Sequence, residues 1–313
     1  MPSCATSVQA LCGCADLVND VYACESGPLN QLLTGNANFS GFMVSDDDGT
    51  RSTANAALHG LDIAMPGPPM RPPFFGPWLK AAVLNGTVPE VVVTDKAVRI
   101  VSALATVGAL DHPNNTSVAS DVTSRAHVAL ARELATAAAT LLRNQAGTLP
   151  LRPAALSSVA VFGLAAEASP IFGGGGSGAV VGKSPSTVLA ALTSRLGVDI
   201  VSYSDGTNAT SAAALAAGSN VSIVVLAQSS SEGKDRATLK LDQSDLVDLV
   251  AEAAKKTVVV AVSPGPFLTP WASAVGAILD LGYPGEQEGE AAADVLLGVV
   301  SPSGKLPHSM PNA

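Results

Sequence analysis

Beyond Pro150 the chain alternates short apolar runs with amphipathic stretches, and that alternation leaves few folds open. Residues 159–162, 200–203, 223–227, 257–262 and 277–281 read as strands, and 187–196, 211–217, 244–255 and 286–297 read as helices. Strands that are apolar throughout are buried on both faces. Strand and helix in alternation build a parallel sheet with helices on either side, so the expected class is α/β, doubly wound, with a mostly parallel sheet. Such sheets bind ligands beyond the carboxyl ends of their strands.

The first part of the chain is less regular. Gly41-Phe-Met-Val-Ser45 reads as a short strand that runs into Asp46, Asp47 and Asp48, and Leu61-Asp-Ile-Ala-Met65 as a second one, closed by the Pro/Gly-rich residues 66–73. Helical spacing covers 77–84 and 95–109, the latter with Val98, Val101, Leu104 and Ala105 on one face. Residues 126–144 read as one long helix, carried by Val128, Leu130, Leu134, Ala138, Leu141 and Leu142. The expected organisation is a domain over 1–110, a linker over 111–124 and the α/β domain over 125–313.

Charge narrows the partner. The chain carries 26 acidic against 17 basic residues and a formal charge of −9, with no basic cluster, which argues against nucleic acid. No run of 18 apolar residues is present, so no membrane span is expected. A small molecule remains as the partner. The histidines His59, His112, His127 and His308 form no close ligand pair, and Cys4, Cys12, Cys14 and Cys24 lack zinc spacing, so neither a metal nor a cofactor is expected. Cys24 paired with Cys12 or Cys14, or buried thiols, both fit the cysteines. Sequons at Asn38, Asn85, Asn114, Asn115, Asn208 and Asn220 suggest a secreted or extracellular protein, although residues 1–11 show no signal-peptide pattern.

Three segments could carry chemistry. Asp46 stands at the tip of an apolar strand, where barrel enzymes place catalytic carboxylates, and Asp46-Asp-Asp48 also fits a polar turn. Glu232 follows strand 223–227 on a Gly-containing loop that an Asp235–Arg236 ion pair could hold; a charged surface loop is the plainer reading. Gly173, Gly175 and Gly178 spell a GxGxxG, but a dinucleotide fingerprint needs a strand directly before it and a helix directly after. Neither is adjacent here, and the segment reads as a flexible loop backing a ligand cleft. No GxSxG elbow is present.

Taken in order, the motifs resemble glycoside hydrolase family three, the β-glucosidase and β-xylosidase family. They are Val18-Asn-Asp-Val-Tyr-Ala-Cys24, Gly41-Phe-Met-Val-Ser-Asp46, Gly60-Leu-Asp-Ile-Ala-Met-Pro66, Ala131-Arg-Glu-Leu134, Leu141-Leu-Arg-Asn144 and Thr148-Leu-Pro-Leu151. Gly173 to Gly178, Ser231-Glu-Gly-Lys-Asp-Arg236, Tyr283-Pro-Gly285 and Pro302-Ser-Gly-Lys-Leu-Pro307 complete the series. The resemblance implies the carboxyl-terminal strands of a (β/α) barrel followed by an α/β sandwich domain, since a whole barrel takes roughly 200 residues or more. It implies retaining hydrolysis of terminal β-linked glucose on small oligosaccharides or glycosides, without metal or cofactor. In that reading Asp46 resembles the nucleophile and Glu232 the acid/base, with Asp47, Asp235 and Arg236 at substrate-binding positions. A β-xylosidase, or a non-catalytic carbohydrate-binding or assembly fragment, are the alternatives. Three positions depart from the family pattern: Asp47 replaces a Trp, Ala15 a Tyr, and Lys234 a frequent aromatic.

Overall fold

In the computed structural model, which describes residues 17–32, 39–67, 74–112, 117, 119–172 and 174–311, the apolar runs after Pro150 supply five strands of one six-stranded sheet, and a segment before Pro150 the sixth. The chain divides into two compact units, Met1–Ser120 and Asp121–Ala313.

The first unit opens with a tight antiparallel pair, β1 (Leu17–Val18) and β2 (Val21–Tyr22). Asn19 and Asp20 turn the corner at φ 52° and 61°, a region Asn and Asp tolerate better than other side chains. Short helices α1 (Gly27–Gln31) and α2 (Ala54–Leu58) follow, then α3 (Pro77–Leu84) and α4 (Glu90–Thr106). Helix α3 has the expected bounds. Helix α4 starts five residues before the expected 95, because Pro89 sets the amino-terminal turn and Val91, Val92 and Val93 continue the helix despite their β-branching. The strands expected at 41–45 and 61–65 shrink to a single parallel bridge between Val44 and Ile63.

The second unit begins with α5 (Arg125–Ala138) and β3 (Thr140–Asn144). The single helix expected over 126–144 is therefore corrected: its last turn is a strand. At Ala139 the backbone leaves the helix (φ −56°, ψ 127°), and Thr140–Asn144 then pairs antiparallel with the sheet edge. Leu141 and Leu142 fit both periodicities; in the strand they pack on opposite faces of the sheet. The remaining elements are β4 (Val159–Phe162), α6 (Val188–Leu196), β5 (Val201–Ser204), α7 (Ala209–Gly218), β6 (Val221–Ala227), α8 (Asp245–Ala253), β7 (Thr257–Val262), β8 (Ala277–Asp280) and α9 (Glu288–Leu296). The order across the sheet is β3-β8-β7-β6-β4-β5, parallel except for β3.

Alternation along each strand splits the core. Val159, Val161, Ile223, Val225, Val258 and Val260 meet α6 and α9 on one face. Ala160, Phe162, Val224, Leu226, Val259 and Ala261 meet α7, α8 and the buried Trp271 on the other. Helices α6 and α9 approach so closely that a Cβ on Gly289 would lie 2.0 Å from the Thr187 carbonyl oxygen. Arg132 of α5 and Arg195 of α6 converge on Asp294 of α9, Arg132 with two bonds of 2.6 Å and Arg195 at 3.2 Å, while both also reach Glu290. Among the described residues no helix is long and apolar enough to cross a membrane.

At the start of α9, Glu288 is 3% exposed, and burial pushes its carboxyl from the ordinary 4.5 to about 7 against one hydrogen bond from the Ile171 backbone. Between pH 4.5 and 7 the unfolded chain gives up this proton while the folded one keeps it. The stabilisation is thus complete below about pH 4.5 and is lost as pH rises through about 7, a span worth roughly 3 kcal/mol. Glu288→Gln is expected to flatten that part of the stability–pH curve, measured by urea unfolding from pH 4 to 8. An unchanged slope would refute it.

Candidate active site

Two carboxylate loci take shape, one in each unit. In the first, the Val44–Ile63 bridge lays Gly41-Phe-Met-Val-Ser-Asp46 alongside Leu61-Asp-Ile-Ala-Met65. Ser45 N–H donates to the Ile63 carbonyl at 3.0 Å, Ile63 N–H to the Met43 carbonyl at 3.0 Å, and Met65 N–H to the Ser45 hydroxyl at 2.8 Å. The register is locked by Asp62, whose side chain is wholly buried. It accepts the Met43 N–H at 2.8 Å and two Arg99 nitrogens at 3.1 and 2.5 Å. Lys96 stands 3.9 Å from the same carboxylate, and its own burial pulls its amine down to about 8.

Asp46 emerges directly past this bridge. Its carbonyl accepts from Gly49 N–H at 3.0 Å, closing a turn with Asp48 at φ 58°, and its carboxylate accepts from Asp47 N–H at 2.8 Å. The acidic triplet is a polar turn and a carboxylate at a strand tip at once. Asp46 is half-buried, while Asp47 is exposed at the apex.

The second locus lies where the sheet reverses its winding. Strand β4 has β5 on one side and β6 on the other, so the crevice between the carboxyl ends of β4 and β6 is the switch point at which doubly wound sheets hold ligands. The loop after β6 returns on itself through Ser231 and Lys234, whose backbones exchange hydrogen bonds of 3.3 and 3.0 Å. Glu232 and Gly233 form the tip, and Gly233 adopts φ 69°, the left-handed conformation this turn needs.

Against that turn lies the glycine segment that follows β4. Cβ atoms added to Gly174, Gly175 and Gly176 would stand 2.2 Å from the Ser230 carbonyl oxygen, 3.1 Å from Ser231 Cβ and 2.4 Å from Glu232 Cβ. All three also have positive φ. The glycines thus serve close backbone approach to the Glu232 turn. Ser177 completes the contact: its N–H and hydroxyl donate to Glu232 Oε2 at 2.6 and 2.7 Å. These bonds, the backbone one foremost, hold the exposed Glu232 carboxyl below its ordinary range. Beside Gly174, the Tyr283 hydroxyl accepts from Ser230 N–H at 2.8 Å and donates to the Gln228 carbonyl at 3.3 Å.

The expected ion pair between Asp235 and Arg236 is corrected. Asp235 is exposed, and Arg236 turns inward to donate to the Pro266 carbonyl at 2.8 Å and Gln228 Oε1 at 3.4 Å, because the loop base offers it partly buried acceptors. Cys24 is buried; Cys4, Cys12, Cys14, Ala15, Asn38, Asn114, Asn115 and Gly173 lie outside the described residues. Sequence reasoning assigned no role to Asp62, Arg99, Ser177 or the Tyr283 hydroxyl. Asp62, Ser177 and Tyr283 stand inside the motifs named above, whereas Arg99 gave no signal of its own.

Comparison with known proteins gives the two loci a context. A probable β-glucosidase L of Aspergillus terreus is 34% identical over 337 residues, which take in 94% of this chain and 45% of the relative. The crystal structure of a β-D-glucoside glucohydrolase from Trichoderma reesei superposes with a TM-score of 0.85 at 30% identity, over 95% of this chain and 46% of that one. DesR, a β-glucosidase from Streptomyces venezuelae solved in complex with D-glucose, gives a TM-score of 0.80 at 26% identity, over 93% and 53%. The chain spans slightly under half the length of the curated relatives it matches. Residues 139–313 match the glycosyl hydrolase family 3 C-terminal domain, and the chain belongs to glycosyl hydrolase family 3.

Proposed function

We propose that the chain is the nucleophile- and acid-bearing portion of a retaining β-glucosidase acting on terminal β-linked glucose of small oligosaccharides or glycosides. The observation that carries this reading is Asp46, standing at the carboxyl end of a parallel-bridged strand pair whose register Asp62 fixes. Residues 1–110 supply the last strands of a (β/α) barrel, 111–124 a linker, and 125–313 the α/β sandwich with its acid/base turn. Asp46 attacks the anomeric carbon and the aglycone leaves as a covalent glucosyl ester forms; Glu232 gives the departing oxygen its proton, then takes one from the water that hydrolyses the ester. Asp47, Asp235 and Arg236 contact the sugar or aglycone. Relatives named as β-glucosidases, one of them holding D-glucose, favour glucose over xylose. The exposed sequons Asn85 and Asn208 favour secretion as a glycoprotein.

The test is covalent trapping. Incubation with a dinitrophenyl 2-deoxy-2-fluoro-β-glucoside is expected to add one fluoroglucosyl group, which peptide mapping finds on Asp46 and which Asp46→Ala abolishes. The exposed carboxylate at Asp47, where the family pattern has Trp, favours a second reading as a carbohydrate-binding module. Calorimetric binding of glucose or cellobiose without any label on Asp46 would select it.

A further inference from the structure

A cleft of about 300 Å³ opens at the carboxyl ends of β7 and β8, between them and the segment Lys305–His308, and neither Asp46 nor Glu232 lines it. Its polar side chains are Thr140, Ser263, Asp280, Tyr283, Lys305 and His308, with Pro264 among the apolar ones. Ser263 and Asp280 are 2% and 7% exposed, so their polar atoms are built into the floor. Asp280 accepts from Gly282 N–H at 3.0 Å and from the Ser263 hydroxyl at 3.4 Å, both on Oδ1, and Oδ2 takes part in neither bond. Burial raises the Asp280 carboxyl, although those two bonds and the His308 charge oppose it. His308 Nε2 is shielded from solvent and meets no hydrogen-bond partner among the described residues. Buried polar atoms are satisfied in the great majority of cases, by protein, water or ligand, so this nitrogen marks a place for another polar group.

We propose that this cleft binds a small neutral polyhydroxylated ligand, a single sugar ring, through hydroxyl groups shared between Asp280 Oδ2 and His308 Nε2. The charges select the class. A buried carboxylate disfavours anions, the exposed Lys305 disfavours cations, and an acceptor and an unpartnered ring nitrogen lining one cleft suit hydroxyls, which both donate and accept. Pro264 and Tyr283 add the apolar wall that the carbon face of a sugar requires. The volume stands at the lower end of small-molecule pockets, ~300–1,000 Å³, and so fits one ring rather than an oligosaccharide. Because the Tyr283 hydroxyl also anchors Ser230, a sugar here would lie against the residue that braces the Glu232 turn.

Calorimetric titration of the chain with glucose, and separately with inorganic phosphate, tests the proposal. Glucose is expected to bind and phosphate not, and Asp280→Asn and His308→Ala are each expected to weaken glucose at least tenfold. His308 lies on a half-exposed segment, so His308→Ala should keep the fold, as its melting temperature would show. Absence of glucose binding, or binding that both variants leave unchanged, overturns the cleft site. Glucose binding that Asp46→Ala removes and His308→Ala does not would place the sugar at Asp46 and also overturn it, without disturbing the β-glucosidase reading.

Discussion

Glu232→Ala is expected to slow hydrolysis of a β-glucoside with a poor leaving group by about 10²–10⁴-fold, yet barely touch glucosylation by a dinitrophenyl glucoside. General acid catalysis is worth that factor only where the departing oxygen needs a proton. Asp46→Ala should remove turnover for both substrates, because without the nucleophile no glucosyl ester forms. Azide should restore product formation in the Glu232 variant as glucosyl azide, since an anion attacks the ester without a general base. If Glu232→Ala slowed good and poor leaving groups alike, the acid/base would have to lie elsewhere.

Ser177 sharpens this expectation. Its N–H and hydroxyl both donate to Glu232 Oε2 and lower its pKa, which favours the ionised form needed to activate water over the protonated form needed by a leaving group. A general acid with a lowered pKa loses its proton at lower pH, which brings the alkaline limb of the activity profile down. Ser177→Ala removes the hydroxyl bond and keeps the larger backbone one, so the limb should move to higher pH without reaching the position of an unrestrained Glu.

The strands of the second unit were legible because valine-rich runs have no other economical home than a sheet buried on both faces, and 159–162 and 257–262 were placed to the residue. Residues 140–144 were not, since Leu141 and Leu142 satisfy a helical stripe and a strand alternation alike; only pairing with β8, distant in sequence, decides between them. The same limit applied at the site. That Glu232 stands on a loop after a strand could be read, but the Gly174–Gly176 contact is packing between segments more than fifty positions apart. The GxGxxG spelling lacks the adjacent strand and helix of a phosphate loop and read as a loop backing a cleft; what it does, making room for another loop, needed the folded chain. Charge pairing, by contrast, misled. Asp235 and Arg236 are neighbours in sequence, but a half-buried guanidinium gains more from the Pro266 carbonyl and Gln228 than from an exposed carboxylate.

Asp294→Ala should destabilise the sandwich by about 2–3 kcal/mol. Its side chain is 5% exposed and receives Arg132 bidentately and Arg195 singly, tying α5, α6 and α9 together. Burial alone would raise the carboxyl, but hydrogen bonds and charge from Arg132, then Arg195, outweigh it and hold it below the ordinary range. Removing one member of a buried ion pair typically costs about 3–5 kcal/mol, because the partner charge stays behind. The arginines are 35% and 25% exposed and can turn partly to water or to Glu290, which is why the lower figure applies. For a unit of this size the loss corresponds to a drop in Tm of about 4–12 °C. Arg195→Ala alone should cost less than Asp294→Ala, since Arg132 keeps its bidentate bond. The double variant should cost less than the sum of the two, because the second change removes a charge the first has already stranded. Strict additivity in that cycle would mean the cluster is three independent surface contacts rather than one network.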